Sequence, residues 1–163
     1  MLNSLKRLIF GEETRLRHLY QFAIIIEEQG AQYYDKLAKQ TKNEALTKLC
    51  FQLVEEENEH KRLFQQRLSR WVPLPLDDKS LDRLERKFQT KGIFSDLTLS
   101  DKTVDDLVRY AIAVEHKSID FYLSFEKDFP DAWKSMQLSR IIEEERSHAE
   151  RLSLFLSSSG KSH

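Results

Sequence analysis

Residues 141–148 read IIEEERSH, and 88 positions earlier residues 53–60 read LVEEENEH. Each stretch holds Glu-x-x-His, Glu57 with His60 and Glu145 with His148. Residues three apart lie on one face of a helix, so each carboxylate sits beside its imidazole. Leu46, Leu49, Cys50, Leu53, Phe64 and Leu68 follow a helical stripe that Glu57 and His60 continue. Ile141, Ile142 and Leu152 flank Glu145 and His148 in the same way. Both pairs are therefore expected to point inward.

The 88-residue shift extends beyond these two stretches. IEEQGAQYY at 26–34 falls on VEHKSIDFY at 114–122, which pairs Glu27 with Glu115 and Tyr34 with Tyr122. The chain is an internal repeat of a helical hairpin, with one Glu on the first helix and Glu-x-x-His on the second. With glutamate at about a tenth of the chain, the histidines should yield about half of one Glu-x-x-His by chance. Two of them, each with a glutamate 30 residues upstream, lower that chance by a further factor of about a hundred.

Glu27 lies among Ala23, Ile24 and Tyr34, and Glu115 among Ala111, Ile112, Ile119 and Tyr122. Four carboxylates inside an apolar bundle would each cost several kcal/mol if ionised and unpaired. Neither Lys nor Arg recurs on these stripes. Two divalent cations balance the four glutamates, and the neutral imidazoles of His60 and His148 complete the set. Oxygen and nitrogen donors without sulfur favour iron or manganese over a structural zinc.

The rest of the chain frames this reading. Its 163 residues suit one domain, taken as 1–163, and 33% charged against 40% hydrophobic residues is the balance of amphipathic helices. A net charge of −1 offers no strong field, so no nucleic-acid partner is expected. The single cysteine, Cys50, excludes an intrachain disulfide and an all-cysteine metal site, and fits a reducing, cytoplasmic setting. No apolar run approaches the ~20 residues of a membrane span. The N-terminal Leu2, Leu5, Ile9 and Phe10 fall near one face beside Lys6 and Arg7. That short segment reads as a helix capping the bundle or touching a second subunit, in preference to a membrane-surface element.

Pro73, Pro75 and Pro130 fall where helices should be absent. Between them the helical period marks four stretches, roughly 13–39, 43–70, 104–127 and 131–157. Thr41 with Glu44, and Thr103 with Asp106, read as capping boxes for the second and third. Hairpin 1 is thus about 13–70 and hairpin 2 about 103–158, joined by a crossover at 71–102 with one short helix after Ser80 that carries Leu81, Leu84 and Phe88 and stops at Gly92. Glu27 and Glu57 are equidistant from residue 42, and Glu115 and Glu145 from residue 130, so each lone glutamate is level with its Glu-x-x-His partner. A crossover of this length can run the whole bundle and place the two hairpin turns at opposite ends. The expected fold is an all-α, ferritin-like four-helix bundle of two duplicated hairpins.

The segments EEQGAQYY, EEENEHKRLF, EHKSIDFY and EEERSHAERL resemble the rubrerythrin-like branch of the ferritin-like di-iron carboxylate proteins. The resemblance covers the four helices, about two-thirds of the chain. It implies that Glu57 and Glu145 bridge two irons, with manganese as an alternative, that Glu27 and Glu115 are terminal ligands, and that His60 and His148 each hold one ion. Tyr34 and Tyr122 resemble hydrogen-bond partners of the ligands with a catalytic role. An oxidoreductase acting on hydrogen peroxide or dioxygen follows, in a homodimer. The chain lacks the four cysteines of a rubredoxin domain, so a separate electron-donor protein is expected. Where the family commonly carries a further glutamate, this sequence has Ser118. Ferritin-type iron storage and manganese-dependent peroxide disproportionation are the alternative functions, and a metal-free interaction module is disfavoured by the buried carboxylates. His116 is expected to face solvent, and Cys50 to be a buried thiol.

Overall fold

A computed structural model describes residues 2–70 and 102–159, with side chains from residue 13 onward. Its long helices are α1 (Leu2–Gln40), α2 (Glu44–Leu68), α3 (Val104–Phe125) and α4 (Ser139–Ser159), and no strand occurs among the described residues. The architecture is an all-α, ferritin-like bundle. α1 packs along α2 and α3 along α4, which makes the two hairpins. No helix among the described residues is long and apolar enough to cross a membrane.

The two hairpins lie antiparallel through α1 and α3. Near one end the Tyr33 hydroxyl donates to the Leu107 carbonyl at 2.7 Å. Near the other, Arg15 pairs with Asp128 at 3.0 Å, and Tyr20 meets the rings of Phe129 and Trp133 at 5.4 Å each. The turn after α1 and the turn after α3 therefore stand at opposite ends of the bundle. The path of the crossover, its expected helix after Ser80, and the side chains of the N-terminal segment lie outside the described residues.

Three local expectations change. The helix expected from about residue 13 runs without a break from Leu2, so the N-terminal segment is the first turns of α1 and not a separate piece. Gly11 does not stop it, because one internal glycine costs only about 1 kcal/mol relative to alanine and no proline follows. The cap of α2 is Asn43, whose Oδ1 accepts from Leu46 N–H at 3.0 Å, while Thr41 Oγ1 accepts from Asn43 N–H at 3.1 Å. Asn is at least as good a cap as Thr and stands one residue before the first helical turn. At α3 the Thr103–Asp106 capping box forms as read.

The third change is in the second hairpin's turn. After a 3₁₀ turn at Glu126–Asp128 the chain turns at Pro130, makes a helical turn at Asp131–Trp133, and then a π turn at Lys134–Leu138 before α4. In the π turn the Ser139 N–H donates to the Lys134 carbonyl, one residue further back than in an α-helix. This sits where a continuous helix from 131 was expected.

Two apolar clusters fill the interior. One, nearer the Pro130 turn, contains Leu19, Tyr20, Phe64, Phe121, Tyr122, Phe129, Leu138 and Ile141. The other, nearer the Asn43 turn, contains Tyr33, Tyr34, Leu37, Leu46, Cys50, Leu53, Leu107 and Leu152. A layer of buried carboxylates and imidazoles lies between them. Phe64 anchors the first cluster, stacked on Tyr122 at 5.6 Å and in contact with Trp133 at 5.4 Å. Phe64→Ala should cost about 3–5 kcal/mol in urea denaturation, and a loss below about 1 kcal/mol would show that the cluster re-packs around the gap.

Candidate metal centre

α1 contributes Glu27, α2 contributes Glu57 and His60, α3 contributes Glu115, and α4 contributes Glu145 and His148; all are buried. Donor atoms of Glu27, Glu57, His60 and Glu145 lie within 4.8 Å of one another, as do those of Glu57, Glu115, Glu145 and His148. Glu57 and Glu145 belong to both groups, so they stand between two potential ion positions. The two imidazoles are nearly parallel, with ring centroids 5.8 Å apart and planes 14° from each other. This is the arrangement two hairpins related by a twofold axis would give.

His60 turns Nδ1 toward the carboxylates, 2.9 Å from Glu145, 3.2 Å from Glu27 and 3.9 Å from Glu57. His148 does the same at wider spacing, with Nδ1 at 3.5 Å from Glu57, 3.6 Å from Glu115 and 3.7 Å from Glu145. That nitrogen is buried, ringed by three carboxylates, and makes no hydrogen bond. A donor atom held just beyond hydrogen-bond reach of three oxygens leaves room for a cation that all four would bind.

The electrostatics of the metal-free cluster show what the cation would replace. Burial, and then the neighbouring carboxylates, push Glu57 and Glu145 well above the usual range and so hold them neutral. Burial acts the same way on Glu27 and Glu115, but contacts with His60 and His148 outweigh it and keep both ionised. Burial disfavours the imidazolium, yet Glu145 and Glu27 raise His60 to about 12, and Glu115 and Glu56 raise His148 to about 10. Two imidazolium ions thus balance two carboxylates, and protons sit where ions could.

The tyrosines cross between the halves. Tyr34 on α1 donates its hydroxyl to Glu115 on α3, and Tyr122 on α3 donates to Glu27 on α1. The sequence had set them near the lone glutamates; the structure pairs each with the opposite hairpin's glutamate. Both hydroxyls are raised well above their ordinary value by burial and by the adjacent carboxylates, so they stay protonated and remain donors.

Two residues escaped the sequence reading. His60 Nε2 is 2.7 Å from Glu144, and His148 Nε2 is 2.9 Å from Glu56. These outer carboxylates also cross, each meeting the other hairpin's histidine. They line a surface pocket of about 310 Å³ with Glu59, Ser147 and Arg151. A signal is present, since both immediately precede the Glu-x-x-His glutamates and are 88 residues apart, but each stands in a run of three consecutive glutamates that does not single it out. A larger pocket, about 430 Å³ on the outer face of α2 around Phe51, touches none of the converging residues. His116 is exposed, and Cys50 is a buried free thiol that burial raises to about 12.

Gly30 makes room for Glu57. A Cβ at this position would stand 3.0 Å from both Cδ and Oε1 of the Glu57 carboxylate. Its repeat counterpart is the buried Ser118.

A model of the rubrerythrin family, described as Rubrerythrin, matches residues 19–156. No curated protein and no solved structure matches the chain.

The raised histidines and the raised Glu57 and Glu145 all bind protons more tightly in the folded protein. Their contribution to metal-free stability is fully present below the unfolded values, 6.5 and 4.5, and is lost as pH rises toward about 10 for His148 and about 12 for His60. The chelated protein should therefore melt at progressively lower temperature from about pH 7 to about pH 9.5, and a flat or rising profile would contradict the charge assignment. Gly30→Ala should separate two effects. Alanine favours the helix by about 1 kcal/mol while its Cβ makes the Glu57 carboxylate give way, so the metal-free melting temperature should change little, whereas metal affinity should fall at least about tenfold because the displaced carboxylate belongs to both donor groups.

Proposed function

Because the chain belongs to the rubrerythrin family, we propose that its buried Glu/His cluster is a di-iron or di-manganese centre and that the protein is an oxidoreductase. The substrate is hydrogen peroxide or dioxygen, and the reductant is a separate electron-donor protein. The observation that carries this reading is His148 Nδ1, buried and without a hydrogen bond amid carboxylates at 3.5–3.7 Å.

In this reading Glu57 and Glu145, shared by both donor groups, would serve both ions, with Glu27 and His60 completing the donors for one and Glu115 and His148 for the other. Two redox metals with vacant coordination positions would supply a pair of electrons to one small oxidant. The chain's own residues do the rest. Tyr34 and Tyr122 each hold one oxygen of Glu115 and of Glu27 by a hydrogen bond, which fixes the carboxylates' orientation and keeps a proton beside each. Apolar clusters on both sides of the layer limit water, which strengthens every charge interaction within it.

Metal analysis of freshly purified protein from iron-replete culture should give about two iron or manganese ions per chain, and zinc alone or no metal would sink this reading. Glu57→Ala and Glu145→Ala should each release both ions, whereas His60→Ala should weaken mainly one. The di-ferrous form should be oxidised by stoichiometric peroxide much faster than by air and be restored by an added reductant. Uptake of ferrous iron far beyond two per chain into a large shell would instead establish a store. Peroxide dismutation by a manganese-loaded form without reductant would keep the site and remove the donor.

A further inference from the structure

The two halves place the same residue types at the converging side chains and at the outer glutamates, and differ in one basic residue beside them. Each outer glutamate lies against the outer nitrogen of the opposite histidine, Glu144 in a hydrogen bond with His60 at 2.7 Å and Glu56 at 2.9 Å from a His148 Nε2 that makes none, and their side chains are 40% and 39% exposed. Solvent therefore does not distinguish them. Arg151 does. Its two terminal nitrogens grip both oxygens of Glu56, Nη1 at 3.2 Å and Nη2 closer, while its Nε–H donates to the Ser147 carbonyl at 3.4 Å. The residue 88 positions earlier is Leu63, so no such fork is available to Glu144 from the first hairpin. Glu144 has instead a single, longer contact, 3.6 Å from Nε of the half-exposed Arg140.

We propose that Arg151 makes the two ion positions unequal, so that the position at His60 fills before the position at His148. This rests on the metal-binding reading above. Two effects act in the same direction. A carboxylate at the outer N–H of a ligating imidazole makes that imidazole a stronger donor, and a carboxylate already forked by a guanidinium gives up less of its charge to the imidazole. Glu144 supports His60 more fully than Glu56 supports His148. The guanidinium itself also lies on the His148 side and repels an arriving cation there, whereas the single long contact of Arg140 has a weaker effect. Glu56, Glu144 and Arg151 are positioning residues, acting on the ions through the histidines.

Zinc(II), diamagnetic and redox-inert, is the probe. The chelated full chain, labelled with ¹⁵N at histidine, is titrated while the Nδ1 and Nε2 resonances of His60 and His148 are followed. At one equivalent per chain, His60 should show the coordination shift with about tenfold preference over His148, and the second equivalent should complete His148. In Arg151→Leu, which restores the residue of the first hairpin, the two histidines should respond together. Arg151→Lys keeps the charge without the fork and should retain the order by a smaller margin, so it serves if the leucine variant fails to fold. Simultaneous response in the native chain, His148 responding first, or an unchanged margin in the variants would overturn the proposal. Absence of any zinc-induced shift at either histidine would instead refute the metal-binding reading on which it rests.

Discussion

Four glutamates buried between two apolar clusters are the constraint around which the bundle is organised. Left ionised and alone, they would cost several kcal/mol each, on the scale of a domain's whole stability. Without metal, the cluster reaches neutrality by sharing protons: two glutamates stay neutral, and two imidazolium ions offset the other two. Two divalent ions supply the same total positive charge as the protons they would displace. The charges would thus balance in either condition, with protons or with two divalent ions. Other residues accommodate the same carboxylates: the tyrosines hydrogen-bond Glu27 and Glu115, and Gly30 leaves room for Glu57.

The twofold arrangement carries that balance across both hairpins. Every support is exchanged: Tyr34 with Glu115, Tyr122 with Glu27, Glu144 with His60 and Glu56 with His148. A shift of one hairpin along the other would break several of these at once, so the polar layer sets the register that apolar packing alone leaves loosely specified. The aromatic cluster around Phe64 then packs against one side of the layer through Tyr122, coupling the core to the site.

Much of this was legible in the residues. The repeat, the inward face of Glu57, His60, Glu145 and His148, and the hairpin midpoints follow from the 3.6-residue period, which reports which face a side chain occupies. It does not report which neighbouring helix that face meets. For this reason the position of Tyr34 near the lone glutamates was visible while its pairing with Glu115 was not, and nothing singled out Glu56 and Glu144 within their runs of glutamates. The π turn at Lys134–Leu138 was equally hidden, because one widened turn has no residue-type signature in KSMQL. The α2 cap moved from Thr41 to Asn43 because two competent capping residues stand within one turn of each other.

The exchanged contacts also bear on how the molecule assembles. One hairpin carries a complete set of Glu, Glu and His, yet the donors that steady those groups belong to the other, so a lone hairpin would have to dimerise to be furnished with them. Covalent connection of the two hairpins in one chain turns that encounter into an intramolecular one. Completion of the centre is then independent of how dilute the protein is. The connection also frees the two copies to drift apart in sequence, since each position is now encoded separately, and Arg151 opposite Leu63 is such a divergence.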